Sequence, residues 1–83
     1  MGYIRSIAPL ENYHLFLEMT TGSIAIIDIS KRFHSIRFAA LQDKKLFQTA
    51  VTNGNYVIWG DGLIKVDVKE LLDILLIDRS KFS

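Results

Sequence analysis

Tyr13-His14-Leu15-Phe16-Leu17-Glu18-Met19-Thr20-Thr21-Gly22-Ser23-Ile24-Ala25-Ile26-Ile27-Asp28-Ile29 reads as two strands joined by a turn. Tyr13, Leu15, Leu17 and Met19 alternate with His14, Phe16 and Glu18, the period of two that sends neighbouring side chains to opposite faces of a sheet. Ser23 to Ile29 is rich in β-branched residues and is the natural hairpin partner. A two-residue loop at Thr21-Gly22 sets Met19 opposite Ile24, Leu17 opposite Ile26 and Leu15 opposite Asp28, gathering five apolar side chains on one face. The other face then carries Phe16, Ala25, Ile27 and Ile29 beside His14 and Glu18, too apolar to be left wholly in water.

Upstream, Ile4 to Leu10 reads as a first strand ending at Pro9, where a missing amide donor is tolerated, so the N-terminal third is expected to be a three-stranded antiparallel meander. Downstream, Ser30 to Ala40 is an irregular basic connector pinned to the core by Phe33, Ile36 and Phe38. Asp43 is a fitting N-cap for a short helical turn through Gln48. Asn53-Gly54 then signals a type I′ hairpin between Ala50 and Trp59, since those residues accept the two positive φ angles such a turn demands. Gly60-Asp61-Gly62 marks another turn, and Leu63 to Val66 a short strand.

Asp67, with Glu70 three residues on, opens a helix from Val68 to about Ile77 in a near capping box. Val68, Leu71, Leu72, Leu75 and Leu76 have the spacing of a buried stripe, while Ile74 and Ile77 fall on the side shared with Glu70 and Asp73. The expected fold is therefore α+β: a single domain over residues 1–83, with a small antiparallel sheet (the N-terminal meander plus the second hairpin) packed against a C-terminal helix.

Composition narrows the function classes. Eighty-three residues suit one core. Ten Lys and Arg against nine Asp and Glu give no global attraction to nucleic acid or anionic lipid. Zero cysteines remove disulfides, thiolate chemistry and cysteine-ligated zinc. No signal-peptide pattern precedes Glu11, and the apolar run Leu71 to Ile77 is broken by Asp73 and far short of the ~20 residues of a membrane span, so a soluble cytoplasmic protein is expected.

The order of several short motifs resembles a known family. Ala8-Pro9-Leu10, Tyr13 with Leu15 and Leu17, Gly22, Asp28, Phe38 to Leu41, Asp43 with Phe47, and Ile58-Trp59 followed by Asp61 together resemble the small bacterial domain-of-unknown-function 2442 family, from about Tyr3 to Leu72. That resemblance implies a small α+β fold and no established activity. Such domains stand alone or are joined to DNA-binding helix-turn-helix segments, and some are suspected members of toxin-antitoxin pairs. Gly60 after Trp59, where Pro is frequent in the family, and a longer, more apolar final helix depart from the pattern.

Candidate chemistry is sparse. His14, His34 and Asp28 lack the short spacing of a metal site, and Ser30, Asp28 and His34 lack the glycines of a nucleophile elbow. Asp61, Asp67 and Asp73 read as turn, cap and helix-surface residues, and Gly60-Asp61-Gly62 lacks the lysine of a phosphate loop. No catalytic residue, metal or cofactor is expected, and the chain reads as a non-catalytic protein-interaction module, either a homo-oligomer or an adaptor or antitoxin-like partner. Phe16, Ile27, Ile74 and Ile77 are the candidate contacts, chosen as apolar residues in excess of what one core consumes. The alternative is a nucleic-acid-associated regulator using Lys31, Arg32 and Arg37, with aromatics at Phe33 and Phe38 interleaved.

Overall fold

A computed structural model describes residues 3–80, with side chains through Ile74. The chain forms β1 (Ile4–Pro9), β2 (His14–Met19), β3 (Ile24–Asp28), α1 (Ile36–Ala39), α2 (Lys44–Phe47), β4 (Val51–Thr52), β5 (Tyr56–Trp59), β6 (Ile64–Asp67) and α3 (Val68–Ser80). Two three-stranded antiparallel sheets result, β1-β2-β3 and β4-β5-β6, each with neighbours in sequence paired in space. The expected α+β class is the observed one, and the expected short strand near Leu63 to Val66 completes a second meander rather than leaving a lone hairpin.

The β2–β3 register differs by one residue from the two-residue-loop expectation. Leu17 lies opposite Ala25, Leu15 opposite Ile27 and Phe16 opposite Ile26. The cause is the turn. Met19 N donates to Ser23 O at 2.8 Å and Gly22 N to Met19 O at 2.9 Å, closing a three-residue loop, Thr20-Thr21-Gly22, with Gly22 at φ +92°. A three-residue loop with its last residue left-handed is a favoured hairpin connection, and it turns every β3 side chain to the opposite face. Leu15, Leu17 and Ile27 therefore enter the core, whereas Ile24 and Ile26 point outward.

Gly22 meets nothing within 4 Å of where a Cβ would stand, so only its backbone angle resists a side chain. Gly22→Ala is expected to destabilise by about 1–2 kcal/mol, lowering the melting temperature by roughly 5–10 °C in a circular-dichroism melt. An unchanged melt would contradict the three-residue loop.

The second hairpin also departs from expectation. Only Gly54 has positive φ, at +103°, so the turn is not type I′. Asn53 acts through its side chain instead: its Oδ1 accepts from the amides of Asn55 and Tyr56, both at 3.0 Å, in an Asx-type turn. This arrangement presents the Gly54 carbonyl to the first sheet, where it accepts from the amides of Tyr3 (2.7 Å) and Ile4 (2.8 Å).

Between the sheets, Ser35 caps α1 and Asp43 caps α2 by accepting from the Phe38 and Lys45 amides. An aromatic series runs from Phe33 through Tyr13 to Phe47, with ring centroids 4.9 and 5.5 Å apart edge-to-face, and on to Trp59, stacked at 6.3 Å. The core joins Leu15, Leu17 and Ile27 of the first sheet to Val57, Trp59 and Val66 of the second.

Asp67 Oδ1 accepts from the Lys69 amide and starts α3 directly from β6, and Val68 N donates to Asn55 O. These ties fix the rotation of the helix about its axis. Of its described side chains Val68, Leu71 and Ile74 are buried and Leu72 is half-buried, so Val68 and Leu71 of the expected stripe turn inward, Ile74 joins them, and the Leu75 and Leu76 side chains lie outside the described residues. The difference arises because α3 is packed on a second side by the 29–39 connector, whose Arg32, Ser35 and Phe38 share a cleft with Ile74. Among the described residues no helix is long and apolar enough to cross a membrane.

Candidate interaction surface

The solvent side of the first sheet carries one row of apolar side chains in cross-strand register. Ala8 of β1 pairs with Phe16 of β2, and Phe16 with Ile26 of β3. Ile26 is 52% exposed and its neighbour Ile24 62%, while Phe16 and Ala8 are half-buried. The row has polar borders. On one side Glu18 accepts from Ser6 Oγ at 3.1 Å and lies 3.7 Å from Arg5. On the other, His14 stands opposite Asp28, whose carboxylate accepts from Ser30 N at 3.0 Å. The charges at the borders have partners on this same chain or cap its turns, which leaves the centre free of charge.

Of the three expected contacts whose side chains are described, only Phe16 lies on this face. Ile27 is 1% exposed and Ile74 3%, so both are core residues and neither can form a surface. The register shift explains the first and the two-sided packing of α3 the second. The Ile77 side chain lies outside the described residues. Ile24 and Ile26, placed by the two-residue loop on the face of Leu15 and Leu17, are the exposed residues of this row that sequence reasoning missed. The signal was the Thr-Thr-Gly spacing, which fits a three-residue loop with glycine last.

Arg32 and Arg37 of the basic segment border one cleft, which Glu70 and Asp73 also line. Lys31 is exposed and Arg32 half-buried. Arg37 is exposed but its guanidinium is engaged, with Nη1 2.6 Å from a Glu70 carboxylate oxygen and Nη2 donating to the Lys65 carbonyl. Its guanidinium also lies 5.7 Å from the centre of the Phe38 ring. Arg37 thus ties α1 to β6 and α3.

Asp28 is held by the turn that follows it, and His34 is exposed. Among the described residues no three His, Asp or Glu side chains converge as metal ligands. A cleft of about 370 Å³ is bordered by Leu10, Tyr13, Lys44 and Phe47; its lining includes Glu11 but neither histidine. Asn12 and Tyr13 both adopt left-handed backbone angles beside it, φ 58° and 61°. The Tyr13 hydroxyl donates to the Gln42 carbonyl at 2.5 Å, and its ring packs on Phe33 and Phe47, contacts that hold this costly conformation in place.

No protein-family model, curated protein or solved structure matches this chain.

Proposed function

We propose that this chain is a non-catalytic protein-interaction module that self-associates through its first sheet, along the β3 side of the apolar row on that sheet's solvent face. What supports the reading is the pair Ile24 and Ile26, more than half exposed and continuous with Phe16 and Ala8. Isolated surface isoleucines are ordinary, but a registered apolar row bordered by polar residues is the form of a contact surface. A charge placed in the middle of that row opposes association while leaving the core untouched.

Sedimentation velocity over a concentration series tests it. The wild-type protein is expected to sediment above monomer mass at high concentration, and Ile26→Glu as a monomer with an unchanged circular-dichroism spectrum. A wild-type protein that stays monomeric throughout, or an Ile26→Glu variant that associates equally well, overturns the reading.

A further inference from the structure

We infer that the contact is an antiparallel pairing of β3 with β3 of a second copy, joining the two first sheets into one six-stranded sheet; this rests on the self-association proposed above. The two edges of the first sheet are unlike. Along β1, Pro9 lacks an amide donor, the register shifts between Ile4 and Ser6 so that Arg5 bulges, and the Ile4 amide is already taken by the Gly54 carbonyl. Proline, bulges and covering groups are the devices that keep an edge strand from recruiting another. Along β3, Ile24-Ala25-Ile26-Ile27-Asp28 contains no proline, no lysine and no bulge, and among the described residues its backbone hydrogen bonds run to β2 alone.

Parity decides which groups that edge offers. The Met19 N to Ser23 O bond makes Met19 and Ser23 a hydrogen-bonded pair, so Leu17–Ala25 and Leu15–Ile27 are the next two. Ala25 and Ile27 therefore direct their backbone groups toward β2, and Ile24, Ile26 and Asp28 direct theirs outward. A two-fold axis at Ile26 pairs all five residues of the strand: Ile26 with Ile26, Ala25 with Ile27, and Ile24 with Asp28 of the other copy.

This register extends the surface already described. The row Ala8, Phe16, Ile26 meets its own copy at the axis, giving an uninterrupted apolar row across six strands. The only charge in the strand, Asp28, falls opposite an isoleucine, so no like charges are opposed. Sliding the copies by two residues in either direction leaves part of the outward-facing edge without a strand partner.

The absence of cysteine makes the register directly readable. Opposed residues in a hydrogen-bonded antiparallel pair have Cα atoms about 5.5 Å apart, within the ~4.4–6.8 Å span of a disulfide. Two Ile24 positions would instead be separated by four residues along the strand, about 13 Å, beyond reach. Under mild oxidation, Ile26→Cys is expected to give covalent dimer on a non-reducing gel at least about ten times faster than Ile24→Cys, and wild type to give none. Both sites are exposed, so both variants keep the fold.

Equal rates at the two positions, faster linkage at Ile24, or no linkage in a protein that sediments as a dimer would each overturn edge pairing while leaving self-association standing. A monomer by sedimentation that also fails to cross-link removes both.

Discussion

Trp59→Ala is expected to leave most of the protein unfolded near 37 °C. Trp59 is fully buried in β5, stacked on Phe47, and its Nε1 donates to the Phe47 carbonyl at 3.1 Å. Truncating such a ring costs about 3–5 kcal/mol in lost burial and residual cavity. The Phe47 carbonyl loses its buried donor in addition, a penalty of about 1–3 kcal/mol. A domain of this length has only about 4–12 kcal/mol in total, so the variant consumes most of the margin. Urea titration followed by circular dichroism should show the midpoint collapse. Trp59→Phe separates the two terms, because it keeps much of the packing and removes the donor. Near-native stability in Trp59→Ala would mean that the two sheets are not joined through this ring.

The second large effect is a contrast between adjacent residues. Ile27→Glu is expected to abolish folding, because Ile27 lies in the core with 1% exposure and a carboxylate there would be buried without a partner. Ile26→Glu, one position earlier and 52% exposed, is expected to change monomer stability by no more than about 0.5 kcal/mol. Expression level and a urea denaturation curve distinguish them. A two-residue loop at Thr21-Gly22 would exchange the two outcomes, so the pair is a direct assay of the hairpin register.

That register shows where the sequence stops being sufficient. The strands themselves are legible, since alternation, Gly22, Asp43 and Asp67 each act locally through periodicity, turn angles or side-chain capping. Register is not, because both faces of the β2–β3 hairpin are apolar. Leu15, Leu17 and Ile27 make one good core face, and Phe16, Ile24 and Ile26 supply nearly as much hydrophobic area on the other. Hydrophobic pattern fixes register only when the faces differ, and here the loop decides it.

The same degeneracy affects α3. Leu71, Leu72, Ile74, Leu75 and Leu76 cover most of the helix circumference, so spacing alone does not choose which residues turn inward. The choice is made by the direct β6–α3 junction and by the connector packed beside Ile74. Phe16 was identifiable as surplus apolar area; Ile24 and Ile26 were not, because their exposure follows from the loop geometry. Arg37 could be read from sequence as one member of a basic run. Its contacts with Glu70 and the Lys65 carbonyl bridge some thirty residues, a distance at which local pattern carries no information.

Because every strand pairs only with the strand next to it in the chain, each meander is written in a single uninterrupted stretch, 4–28 and 51–67. Closing those ladders brings together residues separated by short loops, and the entropy lost in loop closure grows with loop length. The long-range part of assembly rests on side-chain packing within the shared core, on the Arg37 contacts, on the Tyr13 hydroxyl bound to the Gln42 carbonyl, and on a peptide oxygen at Gly54 that receives two amides from the start of the chain. Chain topology of this kind places the entropic barrier to folding at the meeting of two preformed halves rather than in the threading of any strand.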